Sequence, residues 1–170
     1  KKMRAVSTEV YPNENCVAVG WMKFGARLFE WHGEARFIDA LEQSLYNHLL
    51  GSQAIDGRDF SYYQGLVGRK VHATDPRQYS CCRYRGMNML SHLPRYIYAT
   101  KGSDLLVNLY CPSRTEATLG DAEVRVEQDT EYPRSGRVSL RVKSKSAARF
   151  GLRLRIPQWC GKYDLTVNGK

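Results

Sequence analysis

Tyr98-Ala99-Thr100-Lys101-Gly102-Ser103-Asp104-Leu105-Leu106-Val107-Asn108-Leu109-Tyr110 is the stretch at which the chain changes period. Upstream of Gly102 apolar residues recur at every third or fourth position, as on a helix; from Asp104 they alternate, as on a strand. Leu105, Val107 and Leu109 interleave with Leu106, Asn108 and Tyr110. Val124 and Val126 then alternate with charges, and Val138, Leu140 and Val142 oppose Arg137, Arg141 and Lys143. Phe150, Leu152, Leu154 and Ile156 interleave with Gly151, Arg153 and Arg155, and Leu165 and Val167 start a further strand. This alternation is that of antiparallel strands with one face on a core and one in water. The chain therefore reads as α+β, helical over 1–102 and β over 103–170. It stops just after Asn168-Gly169, a strong hairpin signal. It is accordingly expected to be part of a longer protein, holding the end of a helical domain and the start of a β domain.

Working upstream, Asn13 or Asn15 caps a helix running to about Trp31, with Val17, Trp21, Phe24, Leu28 and Trp31 at spacings of four and three. Ala18, Met22 and Phe29 add apolar surface, which predicts a helix covered on most sides. Gly33 ends it. A second helix is predicted over Glu34 to Leu50, with Ile38, Leu41, Leu45 and Leu49 on one face and Gly51 as its C-terminal cap. The short link makes the two an antiparallel hairpin. Residues 51–80 read as irregular, with a turn at Asp56-Gly57, a short strand at Phe60-Ser61-Tyr62-Tyr63 and another turn at Asp75-Pro76. A third helix is predicted from about Cys82 to Thr100, kinked or divided at Pro94.

The 170 residues are 42% hydrophobic and 25% charged, a globular balance that excludes a disordered chain or a coiled coil. No apolar run is long enough for a membrane helix, and no membrane partner is expected. Net charge is +9, from 26 Lys+Arg against 17 Asp+Glu, but many of the basic residues fall on wet strand positions. No RNP-type, zinc-finger or helix-turn-helix pattern accompanies them, so no nucleic-acid partner is expected. The cysteines are Cys16, Cys81, Cys82, Cys111 and Cys160. Their odd number and irregular spacing do not form a secreted disulfide framework, which favours reduced thiols and a cytoplasmic setting. A Cys111–Cys160 bridge is conceivable, though nothing in the sequence indicates it.

Glu14-Asn15-Cys16 places an acid and a thiol two apart at the start of one helix, and Cys81-Cys82 is a vicinal pair at the start of another. Helix N-termini favour negative charge and lower thiol pKa values. Three thiolates and one carboxylate make a chemically sound tetrahedral zinc set. Two other readings stand beside it: buried, inert free cysteines, and a strained vicinal disulfide.

The chain resembles the bacterial β-L-arabinofuranosidases of glycoside hydrolase family 127. The stretches that carry the likeness are Glu14-Asn15-Cys16-Val17-Ala18-Val19-Gly20-Trp21-Met22, residues 40–50, and Asp56-Gly57-Arg58-Asp59-Phe60-Ser61-Tyr62-Tyr63. Cys81-Cys82 with Gly86-Met87, Leu93-Pro94-Arg95-Tyr96-Ile97-Tyr98, Val107-Asn108-Leu109-Tyr110 and residues 154–160 complete it. The resemblance implies the later part of an (α/α)6-barrel catalytic domain followed by a β-sandwich. It implies zinc held by Glu14, Cys16, Cys81 and Cys82, with Cys81 also the nucleophile of a retaining glycosidase acting on β-L-arabinofuranosides or related glycans. Glu42 and Tyr62 match carbohydrate-contacting positions, with an exposed helix charge and ordinary packing as their alternatives and Tyr63 as the register alternative to Tyr62.

The family's general acid/base glutamate falls upstream of Lys1; Glu9 has the wrong spacing and reads as a surface residue. The 170 residues alone are therefore expected to show little or no hydrolysis. The common E-T-C of the family stands here as Glu14-Asn15-Cys16, and Arg83 and Arg85 beside the vicinal pair suggest an anionic sugar. His72 reads as a loop histidine, and His32, His48 and His92 as helix surface or packing positions. A few helices cannot close a barrel, so a homo-oligomer formed through the uncovered apolar face is expected. Two rival readings are a metal-free carbohydrate-binding or structural remnant, and a redox or zinc-storage protein built on the vicinal pair.

Overall fold

The computed structural model describes residues 13–65 and 81–170. The chain forms two compact units, one ending at Tyr96 and one running from Ile97 to Lys170. The architecture is α+β, as the change of period predicts.

In the first unit, β1 (Asn13–Glu14) leads directly into α1 (Asn15–His32), which Gly33 ends in the left-handed conformation at φ 68°. Such a backbone is open to glycine at little steric cost. α2 (Ala35–Ser44) continues through a π-helical turn (Leu45–Leu49) into α3 (Leu50–Ser52). The predicted second helix is thus present, with a π-turn in its latter half that periodicity does not reveal, and it ends at Gln53 rather than at the predicted cap Gly51, which stays helical. β2 (Tyr63–Gln64) pairs antiparallel with β1, Glu14 lying opposite Tyr63. The Asp56-Gly57 turn forms as read, with Gly57 at φ 74°.

α1 packs against both α2 and α4 (Cys81–His92). Its inward face is Ala18, Val19, Met22, Gly25 and Ala26. The bulky stripe of Val17, Trp21, Phe24 and Trp31 is more than half exposed, contrary to the prediction of a helix covered on most sides. The small face wins because it admits close approach: a Cβ on Gly25 would lie 3.3 Å from the carbonyl oxygen of Phe37. On α4, a Cβ on Gly86 would come within 2.6–2.7 Å of three ring atoms of Phe60, itself 1% exposed. Phe60 therefore sits directly on the α4 backbone, and with it the loop that leads to Tyr62.

The third helix is shorter than predicted. α4 ends before Pro94, α5 (Pro94–Ile97) is a single turn, and Tyr98–Lys101 is strand β3. Gly102, at φ 60°, turns β3 back onto β4 (Asp104–Val107). Pairing with β4 decides the fate of Tyr98–Lys101, a segment too short for its own period to declare.

The second unit has two three-stranded sheets. One has the order β3-β4-β8, and the other the order β5-β6-β7. Its remaining strands are β5 (Ser113–Leu119), β6 (Ala122–Thr130), β7 (Val138–Ser144) and β8 (Gly151–Leu154). All pairs are antiparallel except β4 with β8, which run parallel. Leu105, Leu119, Ala122, Val124 and Val126 form the core, with Tyr98, Leu140, Phe150 and Leu152 packed on it. Each buried leucine or valine among them contributes about 1.5–3 kcal/mol. Gly151 leaves room for the Asp104 carboxylate, which pairs with Arg153 at 2.5 Å. Arg155, predicted to face water, is 6% exposed and donates from Nε to the carbonyl of Asn108. Leu165 and Val167 do not form a strand, although Asn168-Gly169 makes its turn between Val167 and Lys170. Cys111 and Cys160 are free thiols.

Candidate functional site

Glu14 is the last residue of β1 and the N-cap of α1, in an extended conformation. Cys16 lies in the first turn of α1, and Cys81 and Cys82 open α4. The two helices therefore present their N-termini to one point, where partial positive charge favours anionic ligands. There the four side chains converge, each offering one donor atom, with all four donors within 4.8 Å of one another. Cys82 Sγ lies 3.4 Å from Cys16 Sγ and 3.7 Å from Glu14 Oε1, and Cys81 Sγ lies 3.8 Å from the same oxygen.

These three separations are close to the edges of a tetrahedral site. With metal–sulfur bonds of about 2.3 Å, the sulfur–sulfur edge of a tetrahedral site is about 3.8 Å. The donor set fits a small, thiophilic divalent cation. Cys82 is buried and Cys81 exposed, so one sulfur is locked in while the other faces outward.

Burial is the first cause that pushes the thiols of Cys16 and Cys82 above the ordinary range, and Cys81 and Cys82 push Cys16 further in the same direction. Both thiols are therefore protonated at neutral pH before a cation arrives. Binding must displace those protons, so affinity rises with pH and falls as pH falls. Titration against a chromophoric chelator should show at least about a 10²-fold gain in affinity between about pH 6 and about pH 8.

Tyr62 stands at the same site. Its carbonyl accepts the N–H of Asn15 at 2.9 Å and lies 3.6 Å from Cys82 Sγ. Its hydroxyl pKa is pushed up to about 12, first by the Glu14 carboxylate and then by burial. Tyr63, the register alternative, contacts Tyr62 with ring centroids 4.5 Å apart. Glu42 is 3% exposed on the inner face of α2 beside Leu41, which removes the reading of a solvated helix charge. Arg83 is held by Asp59 at 3.6 Å and by the carbonyl of Arg58 at 3.5 Å, so it is not a free cation at the site. Glu9 and His72 lie outside the described residues. His48 is buried in the π-turn, whereas His92 is half-buried at the end of α4. No helix among the described residues is long and apolar enough to cross a membrane.

Sequence reasoning read Asn15 only as a candidate helix cap, whereas Glu14 takes the cap position and the Asn15 side chain reaches the Cys82 carbonyl; it gave Asp59 no role. Asn15 is fully buried between two of the four donors. A polar residue in a helix's first turn ordinarily signals a cap, and nothing in the sequence distinguishes a buried amide there.

A helical unit with a Cys3Glu cluster, followed by a β unit, defines the class. Residues 2–95 match the GH127 catalytic domain of the β-L-arabinofuranosidases, and residues 104–170 match the GH127 middle domain. The chain belongs to glycoside hydrolase family 127. It is 27% identical over 177 residues to the non-reducing end β-L-arabinofuranosidase of Bifidobacterium longum subsp. longum, covering 92% of this chain and 26% of that protein. It is similar to the crystal structure of Ara127N, a GH127 β-L-arabinofuranosidase from Geobacillus stearothermophilus T6. The TM-score is 0.84 at 26% identity, over 97% of this chain and 28% of the other. A further GH127 β-arabinofuranosidase structure, BT3674, gives a TM-score of 0.79 at 32% identity, over 91% of this chain and 25% of the other. The chain spans about a quarter of the length of these relatives.

Proposed function

We propose that the chain supplies the zinc centre and the nucleophile of a retaining glycoside hydrolase acting on β-L-arabinofuranosides or related glycans. The convergence of Glu14, Cys16, Cys81 and Cys82 within 4.8 Å carries this reading. Family membership supports the substrate class, since the matched relatives are named β-L-arabinofuranosidases. Three thiolates and a carboxylate favour zinc over harder divalent ions. In the same reading residues 1–102 are part of an (α/α)6 barrel and residues 103–170 part of a β-sandwich.

When bound, zinc keeps its cysteine ligands as thiolates at neutral pH, where a free thiol with a pKa near ~8.5 is mostly protonated. Cys81, the exposed member of the set, then has a sulfur that can reach an anomeric carbon. Its sulfur forms a bond to that carbon as the bond to the leaving oxygen breaks. The leaving oxygen takes a proton from a general acid that the family resemblance places upstream of Glu14. Water next attacks the same carbon, the cysteine sulfur departs as thiolate, and the water's proton returns to the acid's conjugate base. Two inversions leave the configuration retained, as with a carboxylate nucleophile. Glu42 and Tyr62 serve the sugar hydroxyls in this scheme. Elemental analysis of the purified protein tests the first requirement. About one zinc per chain is expected from a single four-ligand site; a protein that holds none after purification with zinc present would overturn the reading.

A further inference from the structure

We infer that Asn15 is a positioning residue for the cysteine cluster, setting the separation of the two helix starts. The inference rests on the reading of the cluster as a metal centre. Asn15 has no solvent exposure and touches three other parts of the fold. Its backbone N–H donates to the carbonyl of Tyr62 at 2.9 Å. Its side-chain Nδ2 donates to the carbonyl of Cys82 at 3.3 Å, across 67 residues of sequence. Its Oδ1 lies 3.2 Å from the hydroxyl of Ser52, whose single proton is shared between that oxygen and the nearer carbonyl of Leu49 at 2.7 Å. One buried amide thus ties the start of α1 to the start of α4, to α3 and to the segment entering β2.

The geometry makes this more than general packing. Glu14 and Cys16 flank Asn15 in sequence, so the orientation of its backbone orients both donors. The carbonyl it holds is that of Cys82, whose sulfur lies 3.4 Å from Cys16. The Tyr62 carbonyl that accepts the Asn15 N–H also lies 3.6 Å from Cys82 Sγ. The amide's two ends are not interchangeable. Rotation by half a turn would set Oδ1 against the Cys82 carbonyl, oxygen against oxygen, and only Nδ2 can donate there. Groups that orient metal ligands without touching the metal are worth roughly 10–100-fold in affinity.

The test compares the parent with Asn15→Leu, which keeps the volume and loses the hydrogen bonds, and Asn15→Thr, which keeps a short donor. Co2+ is the probe, read by affinity and by its sulfur-to-metal charge-transfer band. Asn15→Leu is expected to bind Co2+ roughly 10–100-fold more weakly with a shifted band, and Asn15→Thr to restore the parent band. A Leu variant with parent affinity and an unshifted band would overturn the inference. Should Asn15→Leu not fold, Asn15→Ala, which has neither a side-chain donor nor an acceptor, is judged by the same criteria. A second readout needs no metal. Mild oxidation with diamide, which removes two electrons and two protons, should cross-link Cys16 to Cys82 in the metal-free parent, more slowly in the Leu variant. If the parent binds no Co2+, the metal reading fails, and an unchanged cross-linking rate in the Leu variant would then refute the positioning role separately.

Discussion

Serine in place of Cys81 is expected to abolish hydrolysis in the whole protein, even with zinc saturating. Cys81 is the exposed sulfur of the cluster, while Cys82 is buried beneath it. An oxygen at that position keeps the shape but is a far weaker nucleophile near neutral pH, because a serine hydroxyl remains protonated there. Loss of a covalent nucleophile costs on the order of 10⁴-fold or more in kcat. The measurement is release of arabinose from an activated aryl β-L-arabinofuranoside, followed over a range of added zinc. A Cys81→Ser protein retaining more than about one-hundredth of the parental rate at saturating zinc would exclude the sulfur as the attacking group.

Serine in place of Cys82 should act differently. A structural zinc site contributes about 10–16 kcal/mol of apparent binding energy, so one ligand of four carries about 2.5–4 kcal/mol, or roughly 10²–10³-fold in affinity. The smaller hydroxyl can be accommodated, since the Tyr62 carbonyl already faces Cys82 Sγ at 3.6 Å and can accept its proton. Cys82→Ser protein should therefore purify with far less than one zinc per chain. Part of its activity should return when zinc is added in excess, which is not expected of Cys81→Ser. Equal zinc content and equal activity in parent and Cys82→Ser would remove Cys82 from the ligand set. The contrast between the two variants separates nucleophile from ligand, although the residues are adjacent in sequence.

Periodicity was sufficient for the class of each half. The end of α1 at Gly33, the α2 start and the alternation of β6 follow from local pattern, because left-handed glycine and pleat are properties of a few consecutive residues; the cap read at Asn13 or Asn15 does not form, since Glu14 is the N-cap of α1 and makes no side-chain cap bond. Three features resisted it. Tyr98–Lys101 became a strand because β4 offers it a partner. β8 pairs in parallel with β4, although alternation is the same in either direction. The small face of α1, rather than its bulky stripe, packs inward because helix axes approach closely only over small side chains. Arg155 follows the same lesson, buried by a carbonyl that its own strand does not contain.

The site divides along the same line. Glu14, Cys16, Cys81 and Cys82 stood out by residue type, an acid and a thiol at one helix start and two thiols at another. The motif resemblance joined them into one set. The sequence alone determined which atoms were available and which family they belong to. Only the tertiary structure decided that 14–16 and 81–82 meet, that Cys82 is sealed in while Cys81 faces out, and that Arg83 is occupied by Asp59. The reason is physical: donor chemistry is a property of single residues, whereas separation and exposure are set by packing between segments that sequence order keeps far apart.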